Sequence, residues 1–281
     1  MIITLTINKI SAAINTVGAE LLRLEKNEHN YIWTVDETYW NKTSPVLFPI
    51  VGRLKNDSYL FNDKSYALAR HGFARNFDFE LEEKSESSAL FALKYNSETL
   101  KQFPFEFELK IAYRLTENGL NISYLVYNLS NNVIPFSIGA HPAFAIDHAF
   151  DNYSLVFNQS EKLFSHQLKN EQFDGSVQEI EANDRKINLD YLLFEKDALV
   201  FKNLKSNEVT LLHNNKFVLK LNYDGFPYLG IWTKPNAPFL CIEPWCGLAD
   251  NDKHNGNFAE KEGMNFLEPS DVFSKTIKIA L

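Results

Sequence analysis

A carboxylate that interrupts an apolar segment near the C-terminus is the clearest chemical signal in the sequence. Glu243 lies within residues 239–247, FLCIEPWCG, and is followed directly by proline and tryptophan. Burying an unpaired carboxylate is costly, so Glu243 must have strong polar partners or a catalytic task. Loss of solvation also raises the pKa of a carboxyl group toward the range useful to a general base. We therefore predict that Glu243 lies in a cleft and transfers protons.

Two histidines stand where strand-like segments meet glycine or proline. His71 precedes a glycine in RHGFAR, residues 70–75, and His141 precedes a proline in GAHPAF, residues 139–144. Proline has no backbone N–H, so the strand ladder should stop there and leave His141 at the rim of a sheet. Imidazole exchanges protons near neutral pH. Each histidine taken alone is better explained as a structural residue, such as a core histidine bonded to a backbone carbonyl, than as a catalytic one.

Three further side chains have shapes that suit ligand binding. Arg53 follows an apolar run in FPIVGR, residues 48–53, and its planar guanidinium can hold a pair of hydroxyls as well as a carboxylate. Trp232 or Trp245 could provide an apolar platform for a ligand. The structural alternatives are a salt bridge for Arg53 and ordinary core packing for both tryptophans.

The elements that must position these residues are strands, because period-two alternation of apolar and polar residues dominates the sequence. It predicts a first strand within residues 1–14 and hairpins at 58–67, 109–129 and 209–221, each around a short polar turn. A short helix is predicted at 97–103, a helical turn at 190–194, and a polar, loop-like stretch at 159–188. Strand-like runs recur about every ten residues without an obvious linker, which favours an all-β sandwich with residues 1–281 in one domain.

Composition narrows the function classes. The chain is 45% hydrophobic with 23 Phe and 12 Tyr, which suits a large strand-rich core. Its net charge of −8 argues against nucleic acid and anionic membranes as partners. Cys241 and Cys246 are too few for a disulfide framework, so free thiols in a reducing compartment are expected. With no signal peptide and no apolar run of membrane-spanning length, we predict a cytoplasmic protein.

The segments described above together resemble the aldose 1-epimerase (galactose mutarotase) family, in its branch of shorter proteins often found beside lactose and hexose operons. The resemblance covers nearly the whole chain and rests on FPIVGRLKNDSY, HGFAR, GAHPAF, DGFPYLGIWTKP and CIEPWCG, which occur in the family's order. It implies a large antiparallel β-sandwich with few short helices. It also implies an enzyme that interconverts the α and β anomers of a free hexose without metal or cofactor.

The resemblance further assigns roles to individual residues. Glu243 matches the family's general base and His141 its general acid. His71 matches the other active-site histidine, and Arg53 matches a substrate-binding arginine.

The family's substrate-binding aspartate matches Asp197, with Asp224 as the alternative. The typical family member has a histidine after this aspartate, whereas Ala198 stands here.

Other functions remain open at this level. His71, His141 and Glu243 have the composition of a two-histidine, one-carboxylate metal site, but the close spacing that commonly anchors such sites is missing, so no metal is predicted. A carbohydrate-binding module would not require a buried carboxylate paired with histidine. A glycosidase needs two carboxylates, and only Glu243 has a suitable setting.

The identity of the sugar is a separate question. Arg53, Lys55, Arg70 and Arg75 cluster around two motifs, so a hexose 6-phosphate is the alternative substrate, although the cluster could also be a solvated face. Free hexoses are the expected substrates, and the chain is expected to be a monomer or a homodimer.

Overall fold

The computed structural model describes residues 1–147 and 149–281. Strands dominate this part of the chain. In chain order they are β1 (Ile2–Ile7), β2 (Ile10–Asn15), β3 (Glu20–Lys26), β4 (His29–Asn30), β5 (Val46–Leu47), β6 (Ser58–Phe61), β7 (Lys64–Ala67), β8 (Glu80–Lys84), β9 (Ser88–Lys94), β10 (Phe107–Thr116), β11 (Gly119–Asn128), β12 (Ile134–Phe136), β13 (Ile138–Ala140), β14 (Ala143–Ala145), β15 (Tyr153–Phe157), β16 (Leu163–Lys169), β17 (Gln172–Ile180), β18 (Lys186–Asn188), β19 (Leu199–Lys202), β20 (Glu208–His213), β21 (Lys216–Asn222), β22 (Tyr228–Trp232), β23 (Phe239–Cys246), β24 (Asn265–Leu267) and β25 (Val272–Ala280).

Helices are few and short. The α-helix α1 spans Ser97–Gln102. The 3-10 turns are Lys55–Asp57, Ala74–Asn76, Phe150–Asn152, Tyr191–Phe194 and Phe258–Glu260. Within the residues that the structure describes, no helix has the length and apolar character needed to cross a membrane.

Antiparallel pairing joins the strands into two large sheets. The first has nine strands in the order β18-β15-β20-β21-β25-β11-β10-β9-β8. The second has eight strands in the order β17-β16-β19-β22-β23-β13-β5, with β14 also paired to β23. Strands β1 to β4 form a smaller sheet, and β12-β24 and β6-β7 are two-stranded. The prediction of an all-β, antiparallel fold with few short helices is confirmed.

One buried apolar cluster joins the two large sheets. Phe157 of β15, in the nine-stranded sheet, packs edge-on against Phe201 of β19, in the eight-stranded sheet, with ring centroids 6.0 Å apart. The same cluster extends from Ile3 in β1 to Ile279 in β25. This continuity supports the single-domain interpretation of residues 1–281, which stays a prediction.

Most local predictions agree with the observed elements. The first strand, the three hairpins (β6-β7, β10-β11 and β20-β21), the helix α1 and the turn before Phe194 all form where the pattern placed them. In β11 buried residues alternate with partly exposed ones, as expected of a strand with one face on the core. Period-two patterning and polar turn residues were therefore sufficient to predict these elements from the sequence.

The loop predicted for residues 159–188 is wrong. This stretch contains the hairpin β16-β17 and the short strand β18. Strand β17 is at the edge of the eight-stranded sheet, and its residues from Asp174 to Glu179 are all exposed. A strand that is solvated on both faces has no apolar alternation, so its sequence is indistinguishable from that of a polar loop.

Strand β23 positions the candidate site. It is paired with β22 along one edge and with β13 and β14 along the other, and all eight of its residues are buried. Glu243 pairs with Gly230 in register, near the centre of this strand. The carboxylate is therefore placed deep in the eight-stranded sheet by backbone pairing alone.

The cap of α1 gives a stability prediction. The Asn96 side chain accepts hydrogen bonds from the backbone N–H groups of Glu98 and Thr99, and the Thr99 hydroxyl accepts from the Asn96 N–H. Asn96→Ala should lower the free energy of unfolding by about 0.5–2 kcal/mol. Asn96→Asp, which keeps the capping oxygen, is the control. Urea denaturation measures both, and equal stability of the two variants would contradict the capping role.

Candidate active site

A cavity opens beside the middle of β23 and collects the chemically interesting side chains. Its lining consists of Gly52, Arg70, His71, His141, Leu168, Glu171, Phe173, Asp197, Ala198, Trp232, Glu243, Trp245 and Ala249. All of the site residues predicted from sequence are in this lining except Arg53. Segments far apart in the chain thus meet at one place.

Glu243 and His141 lie next to each other in the cavity wall. The Nε2 atom of His141 lies 3.2 Å from Oε2 of Glu243, and both side chains are buried. The chain reaches this arrangement because β13 and β14 both pair with β23, while His141 and Pro142 interrupt the ladder between them. The ladder is interrupted at the proline as predicted, but it resumes with β14, so His141 is buried beside β23 and the prediction that it lies at the rim of the sheet is wrong.

Burial sets the protonation of this pair. Loss of solvation raises the pKa of Glu243, and the Arg70 guanidinium and the Trp245 indole N–H offset part of that rise. Loss of solvation, followed by the charge of Arg70, lowers the pKa of His141. Both shifts favour the neutral forms, with the proton on the Glu243 carboxyl and an uncharged His141 imidazole. Among the described residues, Oε2 of Glu243 and Nδ1 of His141 have no hydrogen-bond partner, although Oε2 lies 3.2 Å from Nε2.

His71 is held rigidly at the cavity wall. Its backbone has φ of 66°, a left-handed conformation that is uncommon outside glycine and that concentrates at functional sites. The N–H of His71 donates to the Gly52 carbonyl (2.8 Å), and the Gly52 N–H donates to Nδ1 of His71 (3.1 Å). The backbone thus locks both the loop and the orientation of the ring.

Both ring nitrogens of His71 face N–H groups of the protein. The Gly52 N–H points at Nδ1 from 3.1 Å, and the Nε–H of Arg70 points at Nε2 from 3.0 Å. Loss of solvation and the neighbouring Arg70 lower the pKa of His71 well below its usual value, so the ring is neutral and accepts a hydrogen bond at one nitrogen. These contacts hold His71 and Arg70 side by side at the cavity wall.

Aromatic rings pack against the imidazole of His141. Trp40 stacks on the His141 ring, with centroids 4.9 Å apart and planes inclined by 29°. Trp232 contacts the same imidazole edge-on at 6.1 Å. Trp40 was missed at the sequence level, because it lies in a stretch without strand or motif signals. Its position fixes the rotamer of His141.

Trp245 has a site built by two glycines. A Cβ atom on Gly139 would lie 2.7 Å from Cδ1 of Trp245, and one on Gly230 would lie 2.5 Å from Cζ2. Any side chain at either position would displace the indole. The two neighbouring strands therefore leave a flat space in which Trp245 lines the cavity beside Glu243.

The structure separates the two candidate aspartates. Asp197 is half-buried in the cavity lining, and its carboxylate accepts the Ala198 N–H at 2.7 Å. Asp224 is exposed, accepts a hydrogen bond from the Asn207 side chain, and does not line the cavity. Of the two, only Asp197 is placed to contact a ligand there.

Arg53 lies outside the lining. Its guanidinium makes a two-point ion pair with Asp57 (2.7 and 2.8 Å) and contacts Glu171 at 3.0 Å. Arg70 is the arginine that lines the cavity, and it also pairs with Glu171. Glu171 was missed because it belongs to the segment predicted as a loop.

A metal ion could be held at one point of the site. Cys241 contributes a sulfur that lies within 4.8 Å of ligand atoms of His141 and Glu243. His71 is not part of this group, so the two-histidine, one-carboxylate combination does not form. Burial and the neighbouring Glu243 raise the pKa of the Cys241 thiol well above its usual value. A metal ion would have to displace the thiol proton, because the thiolate is the form that binds metal.

Known proteins share this sequence and structure. A sequence model described as "Aldose 1-epimerase" matches residues 1–255. Protein LacX (chromosomal) of Lactococcus lactis subsp. lactis is 32% identical, and the match covers 100% of this chain and 99% of LacX.

Solved structures agree with these matches. A galactose mutarotase related enzyme from Lactobacillus acidophilus has a TM-score of 0.95 at 35% identity, covering 100% of this chain and 97% of its own. A galactose mutarotase-like protein from Lactobacillus casei ATCC 334 also has a TM-score of 0.95, at 32% identity, covering 100% and 99%. Because the family match spans most of the sequence and the fold agrees over its whole length, the chain belongs to the aldose 1-epimerase family.

Proposed function

We propose that this protein is an aldose 1-epimerase that interconverts the α and β anomers of a free hexose. The observation that carries the proposal is the buried pair of His141 and Glu243, whose Nε2 and Oε2 atoms are 3.2 Å apart at the cavity wall. Family membership supports an isomerase acting on a sugar. The choice of a free hexose and the roles of the individual residues are part of the proposal.

The chemistry needs two proton-transfer groups close together. Ring opening removes a proton from the anomeric hydroxyl O1 and delivers one to the ring oxygen O5. Both oxygens are bonded to C1, so an adjacent carboxylate and imidazole can reach them at the same time. Rotation about C1–C2 and closure on the other face of the carbonyl then complete the exchange. Two positioned groups, each worth about 10²–10⁴-fold, are sufficient for this facile reaction.

The roles follow from the movement of the proton that the resting pair carries on Glu243. Glu243 takes the O1 proton and His141 protonates O5, and ring closure returns both protons. This order requires the resting proton to cross from Glu243 to His141 when the sugar binds. Sugar hydroxyls that donate to the carboxylate, together with the charge of Arg70, favour that crossing because they stabilise the ionised form of Glu243.

Other cavity residues hold the sugar. His71 and Arg70 contact sugar hydroxyls, Asp197 accepts from hydroxyls farther round the ring, and Trp245 contacts a C–H face. Trp232 closes the wall behind His141.

Arg53 contacts the lining only through Glu171, so we propose that it acts on the substrate indirectly. A cytoplasmic location and a monomeric or homodimeric state remain predictions.

Replacing the proton-transfer groups tests the mechanism. Glu243→Gln keeps the shape but cannot accept the O1 proton, and His141→Asn removes the group that protonates O5. Each change should lower kcat for anomer exchange, followed by NMR, by about 10²–10⁴-fold. The double variant should be little worse than the worse single variant, because the residues act as a unit.

Controls for this experiment are sugar binding and circular-dichroism melting, which should both be largely retained. A single variant with near wild-type exchange would remove that residue from the mechanism. Two such variants would refute the assignment of epimerase activity to this site, and a binding module would show no exchange even in the wild type.

The pH dependence follows from the singly protonated pair. The raised pKa of Glu243, about 8, means that the pair loses its proton as the pH rises through that region. The lowered pKa of His141 keeps the acid limb far below neutrality. We expect a kcat/KM plateau through neutral pH and a fall above about pH 8.

Replacing Asp197 tests whether the fall in kcat/KM at high pH reports the ionisation of Glu243, because the charge of Asp197 helps to raise the pKa of Glu243. Asp197→Asn should move the limb to lower pH. Glu179→Gln, on an exposed strand, should leave it in place. An alkaline limb that does not respond to Asp197→Asn would contradict the assignment to Glu243.

Metal removal separates proton transfer from a metal mechanism. Dialysis against a chelator should leave the exchange rate unchanged, because the proposed chemistry needs only the two protonic groups. Cys241→Ser should also retain activity. If both treatments abolished exchange and one specific metal restored it in the wild type, His141, Cys241 and Glu243 would be metal ligands.

A further inference from the structure

Glu171 reaches over the cavity from the tip of the β16-β17 hairpin. Oε2 of its carboxylate contacts Arg53 at 3.0 Å, and Oε1 contacts the Arg70 guanidinium. Arg70 and Glu171 both line the cavity, whereas Arg53 stands behind them. The carboxylate is thus clamped between two guanidinium groups at the edge of the proposed sugar site.

The turn that carries Glu171 does not itself require a glutamate. Asn170 and Glu171 have φ of 53° and 65°, the two-residue turn in which Asn-Gly is favoured, and Asn27-Glu28 has the same conformation. A glutamate in the left-handed region is unfavourable, so glycine at residue 171 would relax the turn. The two ion pairs are the contacts that the Glu171 side chain adds.

Glu171 also decides the charge that a ligand meets. Arg53 is neutralised on its other side by Asp57, with contacts of 2.7 and 2.8 Å. Glu171 therefore cancels Arg70, and Asp197 contributes a further negative charge to the lining. With Glu171 in place, Arg70, which is the cation among the described lining residues, is already paired with a carboxylate.

We propose that Glu171 is the specificity-determining residue for substrate charge, selecting neutral aldoses over sugars that carry an anionic group such as a 6-phosphate or a 6-carboxylate. This proposal rests on the proposed function and narrows its substrate class. Removal of the carboxylate frees the guanidinium of Arg70 and one edge of Arg53. Guanidinium groups bind phosphate and carboxylate in two-point contacts, so the same cavity would then accept anions.

The test compares anomer exchange of glucose, glucose 6-phosphate and glucuronate by NMR, with the rate in the absence of protein subtracted. The wild type should favour glucose. Glu171→Gln should raise the ratio of kcat/KM for the anionic sugars to that for glucose by about tenfold, mainly through a lower KM. Since Glu171 is partly exposed, the gain should shrink as salt is added.

Matched variants separate charge from structure. Glu179→Gln makes the same change of charge on the same hairpin, where Glu179 pairs with the exposed Lys162 outside the cavity, and it should leave the ratio unchanged. Glu171→Gly also removes the carboxylate while relaxing the turn, so it should fold and show the same gain. Arg70→Gln added to Glu171→Gln should abolish that gain.

Failure of this proposal is distinguishable from failure of the proposed function. If glucose is anomerised but Glu171→Gln and Glu171→Gly keep the wild-type ratio, the charge-selection role is overturned and the epimerase stands. If the wild type anomerises none of the three sugars, the proposed function fails. Calorimetric affinities for glucose and glucose 6-phosphate would then decide the charge preference without turnover, with the same expected shift on Glu171→Gln.

Discussion

A carboxylate in the middle of a completely buried strand is costly unless side chains around it offset the loss of solvation. β23 is hydrogen-bonded along both edges and buried along its length, which removes Glu243 from bulk solvent. The charge of Arg70 and the indole N–H of Trp245 favour its ionised form, and Nε2 of His141 lies 3.2 Å away. The same burial raises the pKa of Glu243, so the constraint on folding and the proposed chemistry have one cause.

The neighbouring strands are irregular where the site requires it. β13 and β14 would be one strand beside β23 if His141 and Pro142 continued the ladder. Their interruption brings an imidazole to the carboxylate, and Gly139 and Gly230 leave room for Trp245. The regular parts of both sheets, by contrast, bury ordinary apolar side chains in one shared core. The break between β13 and β14 and the two glycines thus give β23 the surroundings that the proposed site needs.

A second polar network holds the loops around the cavity mouth. The backbone N–H of Asp250 donates to the Arg53 carbonyl, and its carbonyl accepts the N–H of Phe173 at the start of β17. Its buried side chain accepts the Lys55 N–H at 2.8 Å and lies 3.4 Å from the buried Lys261 ammonium. These contacts connect the loop after β5, the β16-β17 hairpin and the loop after β23. The positions of Arg53 and Glu171 therefore depend on one buried ion pair.

The sequence by itself determined the secondary-structure elements that are set by residues close together in the chain. It also determined the family, through motifs that occur in a fixed order. Alternation and turn residues located β10-β11 and the capped helix α1, and burial arguments identified Glu243. Tertiary structure decided which residues share the cavity: Asp197 rather than Asp224, Arg70 rather than Arg53, and Glu171 from a stretch predicted as a loop. The physical reason is the distance along the chain over which each kind of interaction acts. Backbone propensities and turn chemistry act over a few residues, whereas a cavity is assembled by strand register and side-chain packing between segments that are remote in sequence.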